Sequence, residues 1–195
     1  MLHFTTPKHH WNYFLAIAQD LEFISRYIEF CENNQDVYSI ELAHIMLSAS
    51  SEIDVVMKLL CGLADNTKPV NNINDYKAII KSELPELINE EISINRFGLT
   101  YKPWINWEGD QNPDWWKSYN CVKHQRNDHF NEANLKNTIN AVGALLIVVV
   151  YYYKFEFQKE AGHEVPLKDV TRNLVPTSSF LKISNEDYYY NTLIA

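Results

Sequence analysis

A short stretch of the chain, residues 115–127, combines side chains that can bind a phosphodiester and act on it. It contains Lys117, Lys123, His124 and Arg126, two asparagines, and no acidic residue. The guanidinium of arginine presents a planar set of donors that fits a phosphate, and histidine transfers protons near neutral pH. These residue types therefore suit the binding or cleavage of a phosphodiester without a metal ion.

If this stretch forms one helix, a rotation of 100° per residue sorts it into two neighbouring stripes. The first stripe consists of Trp115, Tyr119, Val122 and Arg126. The second consists of Trp116, Asn120, Lys123 and Asn127, with His124 beside it. His129 follows the helix next to Asp128 and Glu132, whose carboxylates can orient an imidazole. The predicted catalytic residues are Arg126, His129 and His124, and the predicted binding residues are Asn120, Lys123, Asn127, Tyr119 and Trp116.

The same stretch also has a structural interpretation, which the sequence leaves open. Lys123 and Arg126 can be solvated surface residues, His124 can form a hydrogen bond between helices, and the tryptophans can belong to the core. Convergence of His124, Arg126 and His129 in an open cleft would favour a site, whereas their burial would favour the structural role.

A second pattern with chemical potential is Glu41-x-x-His44, which has the spacing found in helical di-metal carboxylate proteins. A complete site of that kind needs a second such pair and two further carboxylates. Glu160 and His163 have the spacing, but Gly162 indicates that they lie outside a helix. We therefore expect no metal and no cofactor, and a carboxylate-bridged metal protein is the weaker alternative.

Other catalytic motifs are missing from the sequence. It has no serine nucleophile elbow and no glycine-rich phosphate loop, and its five glycines leave little room for such backbone cradles. The tryptophans Trp104, Trp107, Trp115 and Trp116 can form a platform on which single-stranded bases stack. Aromatic residues of a helical domain also commonly form its core, and both interpretations stay open.

The elements that must position these residues are predicted to be mainly helical, because apolar residues recur at steps of three and four. Ser39 is the predicted N-cap of the second helix and Gly62 its predicted end. The predicted helices cover residues 11–31, 39–63, 74–87 and 115–127 and a long apolar stretch that ends near Phe157. Alternation around Phe97–Gly98 predicts a β-hairpin over residues 92–101.

These elements predict a mainly α fold, a bundle of four to five helices with a small β-hairpin insertion and an irregular C-terminal tail. The bundle covers residues 1–158, with residues 88–113 as the hairpin and loop insertion. Residues 159–195 form the tail, which we expect to pack on the bundle. Its two short apolar runs, residues 179–183 and 188–194, are the candidates for a strand.

The charge of the chain limits the class of protein. Lys and Arg number 17 against 25 Asp and Glu, which gives a formal charge of −8 and argues against broad coating of nucleic acid. Lys117, Lys123 and Arg126 nevertheless stand in residues 115–127 without a counter-charge. The composition therefore stays compatible with one small anion site.

We expect a soluble, cytoplasmic protein that does not bind a membrane. The N-terminus lacks the basic start and apolar stretch of a signal peptide. The apolar segment Ile139–Tyr153 spans 15 residues, fewer than the roughly 20 that a bilayer span needs, and predicts a buried core helix. The spacing of Cys31, Cys61 and Cys121 fits neither a disulfide framework nor a metal knuckle, which indicates free thiols in a reducing compartment.

A helical bundle with Tyr119-Asn120-x-x-Lys123-His124-x-Arg126-Asn127 just before a long apolar helix resembles the HEPN superfamily. These are small α-helical domains that are common in prokaryotic toxin–antitoxin and phage-defence systems, and the resemblance covers most of residues 11–157. Active members are metal-independent RNases whose motif is Arg, four to six residues, then His, often beginning Arg-Asn. Arg126–Asn127 match that beginning, whereas His129 follows Arg126 after only two residues.

The resemblance implies that Arg126 binds the scissile phosphate and that His129 or His124 activates the ribose 2′-hydroxyl. It also implies RNA or a nucleotide as ligand, an antitoxin or other protein as partner, and a homodimer. The predicted function is that of a HEPN-like defence or toxin–antitoxin protein that binds or cleaves RNA without metal. Because the histidine departs from the motif, a non-catalytic helical interaction module is the alternative.

Overall fold

The computed structural model describes residues 7–185 and 188–189. In this part of the chain seven helices pack into a bundle that carries a three-stranded antiparallel sheet. The helices are α1 (His9–Ile24), α2 (Ile40–Ala64), α3 (Ile73–Glu83), α4 (Asp114–His124), α5 (Arg126–His129), α6 (Leu135–Ala161) and α7 (Leu167–Asn173). The strands are β1 (Ile92–Ile94), β2 (Leu99–Tyr101) and β3 (Lys182–Ile183). The predicted mainly α fold with a small β insertion is confirmed.

Helix α6 forms the centre of the bundle. Every residue from 141 to 151 is buried, and α2 packs along α6 more extensively than any other element does. Among the described residues it is the one helix long and apolar enough to cross a membrane, yet 78% of its most apolar window is buried inside the fold. Burial of this kind is typical of the core helix of a soluble protein, since its β-branched stretch packs on all sides.

Several helix boundaries differ from the sequence prediction. Helix α3 ends at Glu83 rather than near residue 87, because Pro85 follows, and α6 continues to Ala161 rather than ending near Phe157. Helix α1 ends at Ile24 rather than near residue 31, and the Ser25 hydroxyl donates to the Glu22 carbonyl oxygen at 2.7 Å as the chain turns away. Helix α2 begins as predicted, because the Ser39 hydroxyl accepts from the Leu42 amide at 3.1 Å. Gly62 does not end α2, which continues to Ala64.

The predicted hairpin is confirmed as β1 and β2, which pair from Ile92↔Tyr101 to Ile94↔Leu99. Gly98 completes the turn with φ +64°, a left-handed conformation that favours glycine. Strand β3 from the tail pairs with the other edge of β1, so the tail joins the sheet of the insertion.

A buried carboxylate ties the tail to the bundle. Tyr151 of α6 and Tyr188 of the tail both donate their hydroxyls to Glu90 Oε1, at 3.1 and 2.6 Å. Burial raises the pKa of both phenols, so they remain donors at neutral pH.

The tail also contains helix α7, which the sequence prediction left as irregular chain. Of the second short run, residues 188–194, only residues 188 and 189 are among the described residues.

Two glycines allow a matched test of the packing between α6 and the sheet. A methyl group on Gly143 would lie 2.7 Å from Ile92 Cγ1 and 3.3 Å from Pro103 Cγ, whereas one on Gly62 meets nothing within 4 Å. We expect Gly143→Ala to lower the free energy of unfolding by about 1–3 kcal/mol because of overpacking. Gly62→Ala should raise it by about 0.5–1 kcal/mol through helix propensity. Urea denaturation measures both, and equal effects would contradict the close approach.

The three cysteines differ in accessibility, since Cys61 is buried whereas Cys31 and Cys121 are half-buried. Burial raises the pKa of the Cys61 thiol to about 12. At pH 8 only about one Cys61 in ten thousand is then a thiolate. We expect a thiol reagent to modify Cys31 and Cys121 in the native protein and to modify Cys61 only in urea. Peptide mass spectrometry reads this out, and native labelling of Cys61 at the rate of Cys121 would contradict it.

Candidate functional site

The predicted single helix over residues 115–127 is two helices in the structure. Helix α4 ends at His124, Gln125 adopts the non-helical angles φ −138° and ψ 44°, and α5 begins at Arg126. The predicted stripes therefore end at His124, and Arg126 does not share a helix face with Tyr119. The break turns Arg126 and the residue after it onto a separate exposed element.

The aromatic side chains of α4 belong to the core. Trp116 and Tyr119 are buried, with exposed fractions of 9% and 5%. Lys123 lies over the Tyr119 ring, 5.3 Å from its centroid, and donates to the Tyr119 hydroxyl at 3.1 Å. The Asn120 amide donates to the Trp116 carbonyl oxygen at 2.8 Å. Three of the predicted binding residues therefore stabilise α4 and its packing: Trp116, Tyr119 and Asn120. Their rings and amide donors do not form an open surface.

The wider tryptophan cluster is buried as well. Trp104 and Trp107 pack against each other with ring centroids 4.4 Å apart, and Trp104 meets the edge of Trp115 at 5.2 Å. The Trp115 indole donates to the Pro103 carbonyl oxygen at 2.8 Å. These rings hold α4 against the insertion, so they are not available as a platform for bases.

A buried polar network fixes the corner at which α4, α5 and α6 meet. The Asn137 amide of α6 donates to the Ser118 hydroxyl at 3.0 Å and to the Glu132 carbonyl oxygen at 2.9 Å. The Ser118 hydroxyl donates in turn to the Glu132 carboxylate at 2.7 Å. The expectation that Glu132 orients His129 does not match this geometry, because its carboxylate bonds Ser118. The network instead sets the position of the segment that carries α5.

Four of the predicted site residues form what we call the basic corner: Lys123, His124, Arg126 and Asn127. All four are exposed, and they line an open depression of about 400 Å³ together with Gln125 and Asp128. In the described part of the chain no carboxylate lies within 4.0 Å of the Lys123, His124 or Arg126 side chains. Lys117, by contrast, pairs with Asp114 at 3.2 Å.

A second depression shares Arg126 and Asn127 with the first. Arg126 and Asn127 also line a space of about 440 Å³ with Ile40, His44 and Phe130. His44 comes from α2, where its Nδ1 lies 3.7 Å from the Glu41 carboxylate and both side chains are mostly exposed. Sequence reasoning missed this neighbour of Arg126, because contact between distant helices leaves no local signal.

His129 behaves differently from the other predicted catalytic residues. It is half-buried at the end of α5 and lines neither depression. The histidines that share a depression with Arg126 are therefore His124 and His44.

The metal-binding alternative finds no ligand set within residues 7–185 and 188–189. There, no group of three or more His, Cys, Asp or Glu side chains comes together. Glu41 and His44 pair with each other at the surface, as given above. Gly162 ends α6 with φ +73°, so His163 lies outside the helix as predicted. The prediction is wrong for Glu160, which lies in the last turn of α6, because the helix continues to Ala161.

The fold and the site together define a mainly α-helical bundle with an exposed basic corner. No protein-family model matches the chain, and neither does any curated protein or solved structure. The function must therefore be argued from the residues of the site.

The buried network gives a stability test for the corner. Asn137→Ala leaves Ser118 and the Glu132 carbonyl without their donor, so we expect the free energy of unfolding to fall by about 1–3 kcal/mol. Asn140→Ala is the matched control, because the Asn140 amide donates only to the Lys136 carbonyl oxygen one turn earlier on α6. Chemical denaturation measures both variants. Equal stability of the two would show that the network does not hold the corner.

Proposed function

We propose that this protein is a HEPN-like RNA-binding protein of a prokaryotic defence or toxin–antitoxin type, and that the basic corner holds RNA phosphates. The supporting observation is the exposure of Lys123, His124 and Arg126 around one depression, with no carboxylate within 4.0 Å in the described chain. Arginine offers a phosphate two parallel hydrogen bonds, and lysine adds a point charge. The Asn127 amide supplies neutral donors beside them.

The charge distribution favours contact with a few RNA phosphates over contact along a long stretch of the strand. The whole chain carries −8, and Asp128 lies on the rim of the same depression. Phosphates further along an RNA strand therefore meet repulsion, and only those at the corner are attracted. Lys123 and His124 also end α4, where positive charge complements the helix dipole. Arg126 lies beyond that helix and is the residue best placed for a phosphate.

We also propose that the corner can cleave RNA without a metal ion. Attack of a ribose 2′-hydroxyl on the adjacent phosphate needs one group that accepts the hydroxyl proton and another that protonates the departing 5′-oxygen. His124 and His44 each line a depression that Arg126 also lines, and we assign these two roles to them. His129, the other histidine to which the HEPN resemblance gives this role, does not line the depressions. A reducing cytoplasm, the proposed location, agrees with the three free thiols.

A non-catalytic interaction module remains the second candidate. It is favoured by two apolar side chains that stand exposed near the corner. Ile40, which is 62% exposed, lines the depression at Arg126, and Tyr38, which is 52% exposed, packs against Phe130 of the same depression. Exposed apolar residues in neighbouring positions are typical of an interaction surface.

RNA binding is tested by fluorescence anisotropy with a labelled single-stranded RNA of mixed sequence at low salt. We expect Arg126→Ala to weaken binding about tenfold, because it removes a charged hydrogen-bonding partner. The slope of log affinity against log salt should also fall by about 0.7 in magnitude. Arg96→Ala is the control, since this arginine lies on the β1–β2 connection and stacks on Phe97. Equal losses in both variants, or no binding by the parent protein, would contradict the proposal.

Cleavage is tested by incubating the same RNA with the protein in excess EDTA. We expect cleavage to persist and to produce 2′,3′-cyclic phosphate ends, because no metal takes part. His124→Ala and His44→Ala should each slow it while leaving RNA affinity within about threefold, since imidazoles contribute about 100-fold or more to proton transfer. Cleavage that EDTA abolishes, or that survives both substitutions, contradicts the catalytic part. Binding without cleavage leaves the RNA-binding proposal standing alone.

A further inference from the structure

A groove of about 670 Å³ runs between the second half of α1 and the first half of α2, next to the basic corner. We call it the α1–α2 groove. Its floor is apolar and is formed by Ile17, Ile24 and Ile45, which belong to the buried core. His44 lines both this groove and the depression at Arg126, so the two spaces adjoin.

Two aromatic side chains stand exposed along the wall of the groove. Phe23 and Tyr27 have exposed fractions of 50% and 72%, and their ring centroids lie 5.4 Å apart. They occupy positions i and i+4 on the same face, although α1 itself ends at Ile24. Aromatic rings contribute much of the affinity at protein interfaces when they become covered. This arrangement points to an occupant that covers both rings.

Two acidic side chains, Asp20 and Glu41, line the groove, and none of the described lining residues is a lysine or an arginine. Glu41 lies 3.7 Å from His44 Nδ1, and the Arg26 guanidinium packs on the outer wall at Phe23, 5.5 Å from the ring centroid. An RNA strand in this groove would bring its phosphates towards those carboxylates. A second copy related by a two-fold axis would bring Asp20 and Glu41 towards their own equivalents. A positively charged occupant is instead complementary to the groove and to the chain charge of −8.

We propose that the α1–α2 groove binds a basic amphipathic helix of a partner protein. Apolar residues of that helix at i, i+3 or i+4, and i+7 would pack on the isoleucine floor and against the exposed faces of the Phe23 and Tyr27 rings. Lysine or arginine residues beside this apolar face would reach Asp20 and Glu41. The groove lies between two packed helices, so a third helix fits by the ridge-and-groove packing that joins α1 to α2. This inference goes beyond the RNA proposal and does not depend on it.

The test uses the full chain and a panel of labelled peptides of about 18 residues, about five helical turns. Each peptide has an apolar face of Leu, Ile or Phe, flanked by lysines in one set and by glutamates in a sister set. We expect the best lysine peptide to bind about tenfold more tightly than its glutamate sister. Anisotropy measures the affinities, and the preference for lysine should disappear in the variant that combines Asp20→Asn with Glu41→Gln.

Single substitutions then locate the site. We expect Tyr27→Ala and Phe23→Ala each to weaken peptide binding about tenfold, the typical effect of losing an aromatic anchor. Tyr13→Ala is the matched control, because Tyr13 is 47% exposed on α1 but does not line the groove. Thermal unfolding of all three variants separates loss of binding from loss of fold, since substitution of an exposed ring should leave the fold intact.

Several outcomes would overturn the inference. These are no binding by any lysine peptide, equal binding of lysine and glutamate peptides, and an equal loss in the Tyr13→Ala control. Dimerisation that Tyr27→Ala abolishes in sedimentation would assign the groove to a second copy. RNA affinity that falls in Tyr27→Ala but not in Arg126→Ala would assign it to RNA. Because Arg126 does not line the groove, failure of the RNA proposal leaves this test unaffected.

Discussion

Eleven consecutive residues of α6, from 141 to 151, are buried, and the other elements are arranged so that each face of this helix is covered. Each fully buried apolar side chain of this kind contributes about 1.5–3 kcal/mol. Helix α2 packs along the length of α6, and α1 and α4 also contact α6. The sheet approaches α6 at Gly143 so closely that a methyl group there would clash with Ile92. The requirement to enclose α6 therefore fixes where the ends of the surrounding helices lie.

The basic corner is a consequence of this arrangement. Helix α4 packs its aromatic side chains inward, and the Ser118–Asn137–Glu132 network ties it to the start of α6. The chain between them must turn within a few residues, so α4 ends and the polar residues that follow face solvent. Because α2 also packs on α6, its beginning lies beside α5, and His44 and Arg126 line the same depression. A chain of charge −8 thus exposes a small cationic surface directly beside an acidic apolar groove.

The features that the sequence predicted correctly depend on local interactions. Ser39 caps α2 because its hydroxyl reaches an amide three residues away, and Gly98 forms the hairpin turn because only glycine readily adopts its φ. The break at Gln125 escaped prediction, since no glycine or proline marks it and tertiary packing imposes it. The proximity of His44 to Arg126 escaped for the same reason. Composition and periodicity therefore located a helical segment rich in phosphate-binding residue types, whereas its exposed and buried members became distinguishable only in three dimensions.

Hydrogen–deuterium exchange with and without a single-stranded RNA shows where the proposed RNA contact lies. We expect RNA to slow exchange in the peptides that cover residues 120–130 and the first two turns of α2, since these segments carry Arg126 and His44. Exchange in α7 and in the β1–β2 hairpin should not change. Protection confined to other segments, or no protection at saturating RNA, would show that RNA does not bind at the basic corner.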